Sequence, residues 1–155
     1  MMLTVAKANP DISVSKTCRA MVEVKDSLVV ARVDIKGLVC NTGDTSLSGV
    51  MAYEIADSGI VTDPDPLVNG ISLLAPADPQ NPTIDEGACV EYTGSYYPSK
   101  AKDLAGYDTE CASNVIFKDT VMVEAMDIMG QSLTPETDMA DCHLCTEGPC
   151  TEYSD

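Results

Sequence analysis

Small or apolar residues alternate with charged ones most clearly in the middle of the chain, over residues 28–43. Positions 29, 31, 33, 35, 37 and 39 are Val, Ala, Val, Ile, Gly and Val, and the residues between 31 and 37 are charged: Arg32, Asp34, Lys36. This period of two predicts a half-buried β-strand. An Asn-Thr-Gly sequence at 41–43 predicts a tight turn, because Asn and Gly tolerate positive φ. A second extended run follows at 47–55.

Further runs with strand character are separated by turn residues along the whole chain. They cover residues 12–18, 68–74, 88–97, 115–127 and 132–142, with turns predicted at 23–27 and 127–130. Proline-rich stretches at 62–67 and 75–82 predict surface loops, since proline cannot donate a hydrogen bond inside a sheet. The pattern predicts an all-β fold, an antiparallel β-sandwich of seven or eight strands with Pro-rich loops.

The length of 155 residues and the 45% hydrophobic content are sufficient for one domain with its own core. Asn9, Pro10 and Asp11 form a linker or turn, which makes the segment before it separable. We therefore predict three parts: an N-terminal extension or donor strand at 1–11, the β-sandwich at 12–142, and a cysteine-rich tail at 143–155.

The formal net charge of −16 argues against nucleic acid, because phosphate binding requires Lys and Arg. Anionic membrane surfaces are disfavoured for the same reason, and no stretch approaches the roughly 20 apolar residues of a membrane span. We expect neither nucleic-acid binding nor membrane insertion. The chain is expected to be extracellular, either secreted or at a cell surface, because seven cysteines in a chain of this size favour disulfides.

The tail sequence Cys142-His143-Leu-Cys145, followed by Cys150, is the motif in the chain best suited to disulfide, metal or redox chemistry. Disulfides within the tail or to a neighbour are one interpretation, a Zn²⁺ site from these cysteines and His143 is a second, and a redox-active CxxC is a third. The odd cysteine count leaves at least one thiol free or bonded to another chain.

Acidic loop residues are predicted to be solvated surface charge, with Ca²⁺ binding through their oxygen ligands as the alternative. The metal candidates are Asp63, Asp65 and Asp108. No other cofactor is expected. His143 is the only histidine, so a Ser-His-Asp set is lacking and no enzyme is predicted. Three tyrosines are expected to fill the core and the sheet surface, with stacking on sugars as the alternative: Tyr92, Tyr96, Tyr97.

Five motifs in order along residues 12–142 resemble the signatures of an immunoglobulin-like repeat of the Asn-Thr-Gly type. They are VSKTC at 14–18, VCNTGDTSLSGV at 39–50, LLAP at 73–76, YTGSY at 92–96 and DTVMVEAMD at 119–127. Such repeats are common in large secreted and cell-surface proteins. The resemblance implies a β-sandwich module, often in tandem, that builds stalks, adhesins, matrix or filaments and has no catalytic centre.

Counting strands up and down through an immunoglobulin-like sandwich gives a disulfide hypothesis. Cys18 and Cys89 would lie at one end and be bridged, and Cys40 and Cys111 would be bridged at the other. This leaves three cysteines for the tail: Cys142, Cys145, Cys150.

The functional prediction is an extracellular structural protein that assembles into a cell-surface filament, stalk or matrix. Its partners would be copies of itself or adjacent immunoglobulin-like repeats. Leu3, Val5 and Ala6 of the leading segment could complete a neighbour's sheet by strand addition, and disulfides of the tail could lock the joint. The alternative is an adhesive module that recognises a glycan, a protein or Ca²⁺ through its acidic loops.

Overall fold

A computed structural model describes residues 7–56, 72–73, 82–97, 116–145 and 153 of the chain. These residues contain seven strands and no helix. The strands are β1 (Ile12–Lys25), β2 (Leu28–Asn41), β3 (Ser48–Ala56), β4 (Ser72–Leu73), β5 (Cys89–Tyr96), β6 (Ile116–Met126) and β7 (Glu136–Cys145). The prediction of an all-β chain is confirmed.

The strands form two antiparallel sheets, with the order β1-β2-β5-β4 in one and β3-β6-β7 in the other. A short parallel contact, in which Ala20 pairs with Leu144 and Met21 with Cys145, links β1 to β7. β3 pairs with β6 and not with β2, although only a short turn separates it from β2. That turn therefore carries the chain from one sheet to the other.

The first hairpin is longer than predicted. β1 and β2 pair without interruption from Ile12 opposite Asn41 to Lys25 opposite Leu28. Asp26 and Ser27 make the turn, with φ of 52° and 67°, and two positive φ angles are typical of the two-residue turn that matches the twist of a hairpin. The predictions of a strand ending at residue 18 and a turn over 23–27 are therefore wrong in extent.

The last hairpin is shifted relative to its prediction. β6 turns at Asp127, whose carbonyl accepts a hydrogen bond from the Gly130 N–H at 3.0 Å. β7 begins at Glu136, directly after Pro135, and continues to Cys145, whereas the sequence predicted 132–142. The loop at 62–67 and most of the run at 68–74 and of the loop at 75–82 lie outside the described residues.

The inner faces of the two sheets pack together in two clusters of buried side chains. One cluster contains Cys18, Ala20, Ala31, Val33, Ile35, Tyr96, Phe117, Ala140, Cys142 and Leu144. The other contains Ile12, Val39, Leu47, Val50, Ala52, Ile84, Val90, Tyr92, Val121, Val123 and Ala125. Because both clusters take residues from both sheets, the sheets face each other across a common core, and the fold is sandwich-like.

Tyr92 packs across Gly37 on the neighbouring strand. Its hydroxyl donates a hydrogen bond to the Ser15 carbonyl at 2.8 Å. A Cβ at Gly37 would overlap that carbonyl and lie 2.6 Å from the Tyr92 hydroxyl. Glycine is therefore required here by the close approach of a ring, which explains why the alternation of β2 contains it.

Burial raises the pKa values of Tyr92 and Tyr96 above the usual value near 10, because the interior disfavours tyrosinate; the charge of Asp138 adds to the effect at Tyr92. A pKa raised on folding gives stability that is present below pH 10 and lost as pH rises through the folded-state pKa. We expect these two of the six tyrosines to ionise only as the domain unfolds in alkali. Tyrosinate absorbance and circular dichroism, followed together, measure this.

The variant Tyr92→Phe provides the control for this titration, since it should remove one tyrosine from the late phase and leave the early phase unchanged. Reversible ionisation of all six tyrosines near pH 10, with an unaltered dichroism spectrum, would contradict the expected coupling.

Candidate functional site: the N-terminal clamp and the first-to-last strand junction

The chain leading into β1 is fastened to the turn after β2. The Thr42 and Gly43 N–H groups donate to the Asp11 carbonyl at 3.1 and 3.2 Å, and the Asp44 N–H donates to the Asn9 carbonyl at 3.3 Å. In return, the Asn9 N–H donates to Asp44 Oδ1 at 2.6 Å, and the Thr42 hydroxyl donates to Asp11 Oδ2 at 2.8 Å. We call residues 9–11 and 41–44 the N-terminal clamp.

Gly43 lets the two segments of the clamp touch. A Cβ at this position would lie 2.6 Å from the Asn9 carbonyl oxygen and 2.9 Å from Pro10 Cα, and it would overlap the Asp11 N–H. All three neighbours are backbone atoms that cannot move independently of the chain. The Asn-Thr-Gly sequence is therefore more than a turn, because its glycine gives the leading segment a place to pack.

The buried side chain of Asn41 stabilises the turn after β2. Its side chain is 1% exposed, and Nδ2 donates to the carbonyls of Thr45 at 2.8 Å and Ile84 at 3.0 Å. Its Oδ1 accepts from the Gly43 N–H at 3.1 Å. The amide thus satisfies three backbone groups, and it joins the clamp to the segment before β5.

The second feature is the junction between β1 and β7, the first and last strands. Ala20 pairs with Leu144, and two residues earlier in each strand Cys18 lies beside Cys142. These two cysteines form a disulfide with a Cα–Cα distance of 5.4 Å. The Lys16 N–H donates to Asp138 Oδ2 at 2.7 Å just before it. The junction is therefore held by a covalent bond, two strand pairs and a side-chain bridge.

The second disulfide joins Cys40 to Cys89, which are directly paired across β2 and β5. The hypothesis that Cys18 bonds to Cys89 and Cys40 to Cys111 is wrong. It failed because β1 does not end at Cys18 but continues to Lys25, which places Cys18 in mid-strand beside β7. Two intramolecular disulfides indicate an oxidising environment.

Several predicted site residues lie outside the described part of the chain. They are the assembly residues Leu3, Val5 and Ala6, the Ca²⁺ candidates Asp63, Asp65 and Asp108, and the cysteines Cys111 and Cys150. Cys145 lies at the end of β7, where it pairs with Met21. Because Cys142 is in a disulfide, it is not available to the Zn²⁺ site considered for the tail. Within the described ranges, no group of three or more His, Cys, Asp or Glu residues could hold a metal ion.

Lys16 is a residue that the sequence interpretation missed. Its side chain is 2% exposed, on the inner face of β1 between Val14 and Cys18 and hence between the two core clusters. The signal was present in the sequence, because the alternation that predicted this strand assigns position 16 to the buried face.

The outer face of β1 and β2 carries a network of paired charges. Arg32 contacts Asp34 and Glu23, each at 2.9 Å, and Arg19 contacts Asp34 at 3.1 Å. The hydrogen bond to Asp34 raises the pKa of Arg32. The hydrogen bond from the Tyr97 hydroxyl to Glu23 raises the tyrosine's pKa. Each of these partly exposed ion pairs contributes little to the stability of the fold, about 0–1 kcal/mol.

One residue of the tail reaches this same outer face. The ring of Tyr153 lies 4.7 Å from the Arg19 guanidinium and 3.9 Å from the Lys36 ammonium, both in cation–π geometry. The predicted role of tyrosines in the core is confirmed for Tyr92 and Tyr96, which are 0% and 4% exposed. Neither ring can therefore stack on a sugar.

No helix in the described residues is long and apolar enough to cross a membrane. Comparison with protein-family models, with curated proteins and with solved structures finds no match to the chain.

Proposed function

We propose that this chain is an extracellular structural module with an immunoglobulin-like sandwich fold of seven or eight strands and Pro-rich loops. It assembles in series with copies of itself, or with adjacent immunoglobulin-like repeats, into a cell-surface filament, stalk or matrix. We assign it no catalytic role.

The strand order supports the fold part of this proposal. The sheets β1-β2-β5-β4 and β3-β6-β7 correspond to the orders A-B-E-D and C-F-G of constant-type immunoglobulin domains. In that correspondence the parallel contact of β1 with β7 lies between strands A and G.

The direction of the first and last strands is the observation that carries the functional proposal. β1 and β7 run parallel, and Cys145 at the end of β7 pairs with Met21. Met21 lies about 30 Å along β1 from Ile12, at roughly 3.3 Å per residue. The chain thus enters the sandwich at one end and leaves β7 toward the other, as end-to-end stringing of modules requires.

Strand addition is the proposed contact between subunits. Among the described strands β3 pairs only with β6. Near its start the other edge is occupied, because the Val50 N–H donates to the Pro82 carbonyl at 3.2 Å. The edge that we propose for a donated strand is therefore that of residues 51–56. The proposed donor is the segment that contains Leu3, Val5 and Ala6, which the N-terminal clamp would hold at a fixed starting point. Disulfides of the tail would then lock the joint.

Two measurements test this proposal. Negative-stain microscopy of the native material should show the chain within a polymer or a string of modules, and isolated single particles would contradict it. A deletion of residues 1–6, which spares the N-terminal clamp, should abolish assembly while the unfolding midpoint stays unchanged. Normal assembly of this deletion would remove strand donation as the joint.

A further inference from the structure

The first and last strands pair with each other over a short parallel ladder. Only two residue pairs form the parallel contact between β1 and β7, whereas β1 forms fourteen pairs with β2. Opposite pulls on the start of β1 and the end of β7 would slide these parallel strands past each other. The ladder itself is much shorter than the one between β1 and β2, so a covalent bond beside it changes how the junction carries load.

The Cys18–Cys142 bond lies directly beside this contact, and it spans 124 positions of the sequence. We propose that it makes the domain a link of fixed length: when the chain is pulled from both ends, the load passes from β1 through the disulfide into β7. The residues between the two cysteines then bear no load and cannot be extended. This inference rests on the proposed function in one respect, because only a module in series experiences such a load.

The burial of the bond and the position of the N-terminal clamp are consistent with this role. Cys18 and Cys142 are both 0% exposed, so a dissolved reductant reaches the bond only after load has pulled the adjoining ends of β1 and β7 away from the core. The N-terminal clamp lies between the incoming chain and Cys18, and its hydrogen bonds are therefore the first to be loaded. Only residues before Cys18 and after Cys142 can lengthen, which limits the extension to below about 100 Å at roughly 3.5 Å per residue.

Single-molecule pulling tests the inference on the full oxidised chain, fused at both ends to reference domains of known unfolding length. At constant force without reductant, we expect extension only up to about 100 Å. Adding dithiothreitol under load should produce a further step on the order of 250 Å when Cys18–Cys142 is cleaved. A separate step on the order of 170 Å should follow cleavage of Cys40–Cys89, which spans 49 positions.

The double variant Cys40→Ser/Cys89→Ser is the matched control, since it removes a disulfide that lies off the proposed load path. It should keep the short extension without reductant and give a single step on the order of 400 Å with it. A step of 250 Å or more in the oxidised wild-type chain without reductant would overturn the inference. Pulling of the isolated chain does not depend on native assembly, so microscopy that shows no polymer would refute the proposed function and leave this result standing.

Discussion

Replacing Cys18 and Cys142 together by serine is expected to lower the free energy of unfolding by about 5 kcal/mol. The chain-entropy model gives this value for a loop of 124 residues. Single domains are typically stable by only about 5–15 kcal/mol, so this loss removes roughly a third or more of the stability. Urea denaturation followed by circular dichroism measures the change, and an unfolded spectrum without urea would also meet the expectation.

The control for this prediction is the double variant Cys40→Ser/Cys89→Ser, which opens a loop of 49 residues. The same model assigns it about 4 kcal/mol. A loss below about 1 kcal/mol in the Cys18/Cys142 variant, with the wild-type bond verified by mass spectrometry, would show that closure of the long loop does not stabilise this fold.

Asn41→Ala is expected to destabilise the domain by about 4 kcal/mol. The substitution removes three hydrogen bonds. The Ile84 carbonyl keeps its bond from the Leu47 N–H and the Gly43 N–H keeps its bond to Asp11, so the loss at each costs about 0.5–1.5 kcal/mol. The Thr45 carbonyl loses its side-chain partner, which costs about 1–3 kcal/mol. The urea midpoint should fall accordingly, with the slope of the transition unchanged.

Thr42→Ala is the matched control one residue further along. It removes a single hydrogen bond, from the Thr42 hydroxyl to Asp11, at an exposed position, so its cost should stay below about 1 kcal/mol. Equal effects of the two substitutions would mean that the buried amide of Asn41 does not hold the turn.

The alternating pattern along β2 correctly predicted which of its side chains are buried, because period-two alternation depends only on which face of a strand is buried. Residues 31, 33, 35 and 39 are buried as that pattern requires. The strand that pairs with β3 could not be predicted from alternation. β6 lies far along the chain from β3, and alternation is the same whichever strand of either sheet lies alongside.

The predicted disulfide pairing was wrong for a related reason. A pairing depends on where strands end and which strands are neighbours, and both were misjudged once β1 was stopped at Cys18. The turn at Asp26 and Ser27 carries neither Gly nor Asn-Gly, so no local turn signal indicates that the first hairpin extends so far. By contrast, the Asn-Thr-Gly turn was located correctly, although its contact with residues 9–11 is a tertiary interaction that local propensity does not encode.

The Ca²⁺ and adhesive alternatives stay predictions, since the acidic loops on which they depend lie outside the described residues. The donor strand stays a prediction as well. What the structure adds is a defined attachment point for that segment, in which Asn9 and Asp44 bond to each other's backbone.

The long span of the Cys18–Cys142 bond also bears on how the protein is made. The thiol of Cys18 is synthesised 124 positions before its partner, an interval on the order of ten seconds at roughly 5–20 residues per second. Cys40, Cys89 and Cys111 all emerge within that interval, and any of them can capture Cys18 in an oxidising compartment. Any such early bond must be reshuffled before Cys18 can pair with Cys142, so we expect a disulfide isomerase to raise the yield of native protein.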